Sequence, residues 1–374
     1  MPMPVSSPLE GLVALGAFAF GACIGSFLNV VIYRVPLGLS VNEPKRSFCP
    51  HCKKTIRARH NIPILGWMLL GGKCADCGGP ISIRYPLVEF LTGGLFLAVW
   101  LHFAAADPWL ALPYFVFVSI LVAATFIDFD HMIIPEVLTW GGVAAGVVFS
   151  AALPQMMGQA NVLVGALWSI GAAAFGYGLL WVVVEGGKMI FGRKRIRYDP
   201  PEKFAWKPVG DEGDAELTVG EDTESWSELF ALERESDRLD LVCERIEFAG
   251  RTHENVTLHA YHNRIELGTA NYPLRMVDAF SGVVSEATFP REAMGLGDVN
   301  FLAAIGAFLG WQAVLFTVAA ASIVGSVVGL ATLPLQRRSH SIKLPFGPYL
   351  SVGALLWLFY GPALAEWYFG LFRS

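Results

Sequence analysis

Two aspartates stand where this chain could use them to break a bond. Asp128 closes an apolar run in Ile127-Asp128-Phe129-Asp130-His131, and Asp298 opens another in Gly295-Leu296-Gly297-Asp298. Ionisable side chains at the edge of an apolar helix are costly to keep, which makes them candidates for function. Two carboxylates brought together cannot both ionise easily, so one holds a proton. The ionised partner can take a proton from water as it attacks a peptide carbonyl, and the protonated one can donate to the developing oxyanion and then help the amine leave. Such a pair titrates as a unit, so neither residue is assigned as acid or base. Gly295 and Gly297 are expected to let the backbone turn tightly and expose the carboxylate. Pro135, seven positions past Asp128, suits the first turn of the next helix and a sharp re-entry. A lone Asp at a helix start is more often a cap than a catalyst. Gly-x-Gly-Asp at the head of an apolar helix is more specific.

A second group of reactive side chains is Cys49-Pro-His-Cys52 with Cys74-Ala-Asp-Cys77, two Cys-x2-Cys pairs separated by 21 residues in one hydrophilic segment. That pattern points to a structural tetrahedral Zn2+ site whose four thiolates leave no open position for catalysis. Two disulfides are the weaker reading, since the segment is expected in the reducing cytoplasm. His51 lies between ligands and could compete, but four cysteines already complete the shell. Of the other two cysteines, Cys23 falls in an apolar run and reads as packing, and Cys243 shows no ligand spacing, nor do His253, His259 and His262.

The elements that must position these groups are membrane spans. The 374 residues are 54% hydrophobic and 16% charged, against about 25% charged in an ordinary soluble domain. The apolar residues fall in runs near 11–33, 87–103, 109–127, 133–153, 162–184, 299–335 and 346–370, of the order of the twenty residues that cross a bilayer as a helix. The first run is too long for the apolar core of a cleavable signal and is followed by Arg34, so it reads as a span. Nine Lys and Arg lie from Arg34 to Arg84, whereas 104–108 and 154–160 carry none. The segment after the first span is therefore expected in the cytoplasm, with the N-terminus outside. The run 299–335 would make a helix of about 55 Å, too long for one crossing. Gly310-Trp311-Gln312 offers a break, and two crossings leave Arg337, Arg338 and Lys343 inside. The expectation is an all-α polytopic membrane protein of about eight spans, with both Asp128 and Asp298 at the cytoplasmic rim.

The chain divides into a first span (1–33), the cysteine loop (34–86), spans two to five (87–192), a soluble insert (193–292) and spans six to eight (293–374). From Asp199 to Glu247 the insert carries sixteen Asp and Glu against five Lys and Arg. Residues 225–238 read as a surface helix capped by Ser225 with Glu228 three residues on, and 255–267 as a half-buried strand. The result is a small α+β domain, with 209–224 expected to be disordered.

Taken in order, these segments resemble the type IV prepilin peptidases. The resemblance rests on Gly25-Ser26-Phe27-Leu28-Asn29-Val30-Val31-Ile32-Tyr33-Arg34-Val35-Pro36, the paired cysteines, Arg84-Tyr85-Pro86-Leu87-Val88-Glu89, Ile127-Asp128 with Pro135, Gly295-Leu296-Gly297-Asp298, and Leu344-Pro345-Phe346-Gly347-Pro348. It covers the chain except the insert. It implies that Asp128 and Asp298, not Asp130, are the catalytic pair. It also implies a bacterial inner-membrane aspartic endopeptidase that removes the basic leader of type IV prepilins or type II secretion pseudopilins on the cytoplasmic side. Many members then methylate the new N-terminus from S-adenosylmethionine; the sequence shows no glycine-rich fingerprint for that donor. Glu89 matches a family position, where it could bind the leader or the methyl donor, or serve as an internal partner for Arg84 or another polar group. Asn300 stands where the family usually has Lys, and Glu136 where it has Asp or Asn. Partners are thus prepilin and membrane lipid, with no nucleic acid. A presenilin-like protease shares Gly-x-Gly-Asp, but the cysteine loop and the Asp128 context speak against it. A zinc-stabilised assembly protein with a structural Asp pair is the non-enzymatic alternative. The insert, placed just before Gly-x-Gly-Asp, is expected to regulate access to the site or dock a secretion partner.

Overall fold

The computed structural model describes residues 8–44, 46–49, 51–104, 107–191, 193–209, 214–230, 237–290, 295–332 and 345–370. It divides into two compact units, residues 1–181 with 295–374, and residues 182–294.

The first unit is helical. It contains α1 (Pro8–Arg34), α2 (Leu65–Leu69), α3 (Arg84–Phe103), α4 (Ala111–His131), α5 (Glu136–Ala152) and the greater part of α6 (Val162–Phe191). After the insert come α8 (Leu296–Leu309), α9 (Trp311–Thr332) and α10 (Gly347–Gly370), the label α7 being kept for a turn within the insert. Among the described residues, five helices are long and apolar enough to cross a membrane: α1, α3, α4 with the turn before it, α6 and α9. Helices α5 and α8 are apolar but shorter, at 17 and 14 residues. Outward faces carry large apolar side chains such as Leu12, Leu163, Val137 and Ile323. That is the surface a polytopic membrane protein presents to lipid.

Close helix approach rests on small residues, as expected where burial against apolar lipid gives no driving force. A methyl group on Gly25 would lie 2.7 Å from the Glu89 Cα, which fixes α1 against α3. On Gly146 it would lie 2.7 Å from the Ala307 Cβ, which does the same for α5 and α8. The long run expected to break near Gly310 does so. Gly310, at φ 85° and ψ 171°, ends α8, and α9 starts at the next residue. Arg337, Arg338 and Lys343 lie outside the described residues.

The second unit overturns the all-α expectation. It is built on one eight-stranded antiparallel sheet in the order β3-β2-β1-β8-β4-β5-β6-β7. Its strands are β1 (Arg193–Val209), β2 (Asp214–Val219), β3 (Asp222–Ser225), β4 (Leu239–Phe248), β5 (Arg251–Ala260), β6 (Arg264–Leu267), β7 (Ala270–Pro273) and β8 (Phe280–Pro290). Alternating side chains (Leu239, Leu241, Cys243 on β4; Leu258, Ala260 on β5) enter one core with Trp206, Ile246 and Phe280.

The expected helix 225–238 is reduced to one turn, α7 (Trp226–Leu229), and 231–236 lies outside the described residues. Ser225 makes no side-chain cap, its hydroxyl lying 2.7 Å from that of Ser227. What holds the turn is aromatic burial: Trp226 packs edge-on to Trp206 at 5.9 Å and against Phe230 at 4.9 Å. Of the stretch expected to be disordered, 209 ends β1, 214–224 lies in the β2–β3 hairpin around Gly220, and 210–213 is outside the described residues. The alternating run 255–267 is two strands, β5 and β6, folded back through 261–263.

Candidate active site

Helix α4 ends one residue after Asp130, where Met132 adopts the left-handed conformation and its N–H bonds to the Asp128 carbonyl at 2.9 Å. The chain then runs through Ile133 and Ile134 to Pro135, the extended residue that precedes α5 rather than the first residue within it. This connection is what brings the two acidic segments together. A methyl on Gly297 would sit 3.1 Å from the Ile134 carbonyl oxygen and 3.2 Å from its N and Cβ, so only glycine lets α8 seat here without displacing a neighbour. Gly297 thus serves close packing, not the tight turn expected of it. Asp298 follows in the first turn of α8, 9% exposed and one residue past the glycine that packs on Ile134. Its Oδ1 is buried with no hydrogen-bond partner among the described residues.

Asp128 is 4% exposed, and its partner could not have been read from side-chain types. The backbone N–H of Gly347, at the head of α10, donates to Asp128 Oδ2 at 2.9 Å. A Cβ at that position would fall 2.7 Å from the same oxygen and 2.9 Å from Ile134 Cδ1. One turn along α10, Ser351 meets the Thr125 hydroxyl at 2.8 Å, which ties α10 to α4 a second time. Three segments far apart in the chain therefore converge on Ile134: the end of α4, the start of α8 and the start of α10. Asn300 is buried on α8, two residues past Asp298.

Asp130 takes no part in this cluster. It pairs with Arg84, whose guanidinium also reaches the Phe126 carbonyl at 3.4 Å and lies 5.3 Å from the centre of the Phe126 ring. Nor does Glu89 pair with Arg84. Its carboxylate, 7% exposed, accepts the Ile64 N–H at 2.7 Å, pinning the cysteine loop to α3 just where Ile64 takes a positive φ of 62°.

The four cysteines come together as their spacing implied, with all four Sγ atoms within 4.8 Å of one another. Cys49 and Cys77 are 3.9 Å apart, close to the roughly 3.8 Å that a tetrahedral centre with bonds of about 2.3 Å requires. Both pairs use the same turn. Lys53 N–H bonds to the Cys49 carbonyl at 2.8 Å and Gly78 N–H to that of Cys74 at 2.9 Å. Each of these residues, placed just after the second cysteine, has a positive φ. Amides of Asp76 and Cys77 draw the Cys74 thiol down to about 7. The Gly79 amide pulls on Cys77 too, but burial and its thiol neighbours push it up to about 11. Four such thiols ionise together only when a cation offsets their charge. The cluster therefore fits a metal ion, and His51 is not among its donors.

A model described as the bacterial peptidase A24 N-terminal domain matches residues 19–103, and one described as the type IV leader peptidase family matches 115–197 and 257–330. A prepilin leader peptidase/N-methyltransferase of Dichelobacter nodosus is 36% identical over 52% of this chain and 72% of its own length. The chain belongs to the type IV leader peptidase family. A second member of the family, the prepilin leader peptidase/N-methyltransferase of Aeromonas hydrophila, is 28% identical over 94% of this chain and 92% of its own. The type 4 prepilin-like proteins leader peptide-processing enzyme of Escherichia coli O78:H11 is 38% identical over 48% and 68%. No solved structure gave a significant match. The family model leaves 198–256 between its two matched segments, so most of the insert's sheet lies outside that match.

Proposed function

We propose that this chain is a prepilin leader peptidase/N-methyltransferase and that Asp128 and Asp298 are its catalytic pair. The observation that supports the assignment is the burial of both carboxylates beside the Ile134 connection, Asp128 accepting from the Gly347 amide and Asp298 following Gly297 with an oxygen that has no partner among the described residues. Two carboxylates so placed share a proton, the condition for water attack with concerted donation to the carbonyl oxygen. The ionised member accepts the proton of the attacking water. The protonated member supplies one to the oxyanion, and on collapse the member that took the water's proton passes it to the departing amine. Substrates are type IV prepilins, and type II secretion pseudopilins by the same chemistry of a basic leader ahead of an apolar helix.

The eight apolar helices cross the inner membrane, α5 and α8 as its short members, with the N-terminus outside and the cysteine loop in the cytoplasm. Zn2+ is the ion the four cysteines hold, since an all-sulfur tetrahedral set favours it. That centre is structural. S-adenosylmethionine is the methyl donor implied by the family resemblance, and no group of described residues is identified with it.

Co-expression with a prepilin tests the pair. Asp128→Asn and Asp298→Asn are each expected to slow leader removal by about 10^3-fold or more, with the protein still present in the membrane. Asp130→Asn, removed from the cluster by its Arg84 partner, is expected to process normally. Leader removal unaffected in either of the first two variants sinks the aspartic mechanism.

A further inference from the structure

The insert is acidic as a whole, yet its charges are sorted. Residues 193–197 carry four Lys and Arg and no Asp or Glu, whereas 199–247 carry sixteen acidic residues against five basic ones. The basic run is the start of β1, two residues beyond the last residue of α6, and the end of α6 belongs to the same compact unit as the sheet. Strand pairing collects further groups on one face at that end. Arg195 stands opposite Thr288, Thr288 opposite Asp240, and Asp240 opposite His259; in the next row Arg197 stands opposite Glu286. Residues paired across strands project to the same side. The core takes the other side, through Leu239, Leu241 and Ala287.

On that outer face two carboxylates, Glu286 and Asp240, serve four guanidinium groups, and Glu266, opposite His259, serves Arg264. Glu286 contacts Arg195, and Arg197 at 3.1 Å. Asp240 lies 3.0 Å from Arg238 Nη2 and 3.8 Å from Arg193 Nη1, with His259 Nδ1 at 2.6 Å. The acidic groups hold the arginines in place without neutralising them. Arg193, Arg195 and Arg197 remain 54%, 62% and 76% exposed. A fixed, cationic array within a few residues of a membrane helix is suited to lipid phosphate, because guanidinium forks match phosphate oxygens. Charges that merely set helix orientation need no such array.

We propose that this face of the sheet, centred on Arg193, Arg195, Arg197 and Arg238, binds anionic phospholipid headgroups in the leaflet where α6 ends. The inference rests on α6 crossing the membrane and is independent of the catalytic assignment. The test uses the full chain in nanodiscs of phosphatidylcholine alone or mixed with phosphatidylglycerol, and follows hydrogen exchange of segments 193–197, 238–242 and 284–290. Phosphatidylglycerol is expected to slow exchange there several-fold, with the effect lost at high salt and largely lost in R195Q/R197Q. If the double variant loses the whole sheet, R197Q alone, which keeps the Arg195–Glu286 pair, is expected to weaken the effect. Glu286→Gln, which releases two guanidinium groups, is expected to show it at a lower phosphatidylglycerol fraction. Equal exchange in both discs overturns the proposal, as does full protection in R197Q and R195Q/R197Q. Equal protection by free glycerol phosphate in phosphatidylcholine discs overturns the membrane as its source.

Discussion

A buried carboxylate needs a donor more than it needs space, and for Asp128 the donor is a backbone amide. Because the N–H comes from Gly347, a side chain at 347 can only intrude: its Cβ would stand 2.7 Å from Oδ2. Gly347→Ala must therefore push Asp128 or Ile134 aside. It is expected to cost about 1–3 kcal/mol, the usual range for overpacking, and to depress leader processing while the cysteine site keeps its metal; normal processing would show that this contact does not position Asp128. The aspartates themselves could be read from the sequence because a charge at the edge of an apolar run stands out. The amide could not, since every residue but proline carries one. Preferring Asp128 to Asp130 rests on the family resemblance; in the structure Asp130 pairs with Arg84.

Among the elements, the apolar helices were legible because length and hydropathy alone define them, and Gly310 marked a break that only a residue without Cβ makes cheaply. Its φ and ψ lie in a region that is essentially glycine's. Gly310→Ala, whose new methyl would meet only ordinary van der Waals contacts, Gln312 Oε1 at 3.6 Å and Met157 Sδ at 3.9 Å, is expected to lower stability by about 1–3 kcal/mol through backbone strain, read as a thermal shift in detergent. The insert was misread for local reasons. Ser225 and Glu228 mimic a helix cap, but burying Trp226 against Trp206 decides that segment. The turn at Tyr261-His262-Asn263 has no Gly or Pro to announce it. Inside the same sheet, burial pushes the Cys243 thiol up to about 12. A thiol whose folded pKa is raised adds stability that is present below its unfolded value of about 9 and lost as pH climbs toward 12. Cys243 is thus expected to resist alkylation at pH 8 in the native protein and to react once it is denatured; labelling of the folded chain at that residue, read by mass spectrometry, contradicts the buried placement.

For the molecule as a whole, the cysteine loop is held at two levels, by its own cluster of four cysteines and by the Glu89 bond to Ile64. Cys77→Ser or a strong chelator is expected to remove about one zinc per chain and to lower thermal stability, while Asp298→Asn leaves the metal content unchanged; metal analysis of purified protein decides it. The series of apolar helices that fits a polytopic membrane protein was legible at this scale. Convergence of three distant segments on Ile134 was not, because contacts between residues far apart in the chain leave no local pattern. Time enters through the same convergence. Asp128 and the Gly347 amide are separated by 219 residues, which a ribosome adding about 5–20 residues per second takes on the order of ten to forty seconds to make. For that interval the nascent chain holds its first catalytic candidate without the group that fixes it. A prepilin translated alongside meets an incomplete site until α10 has been added.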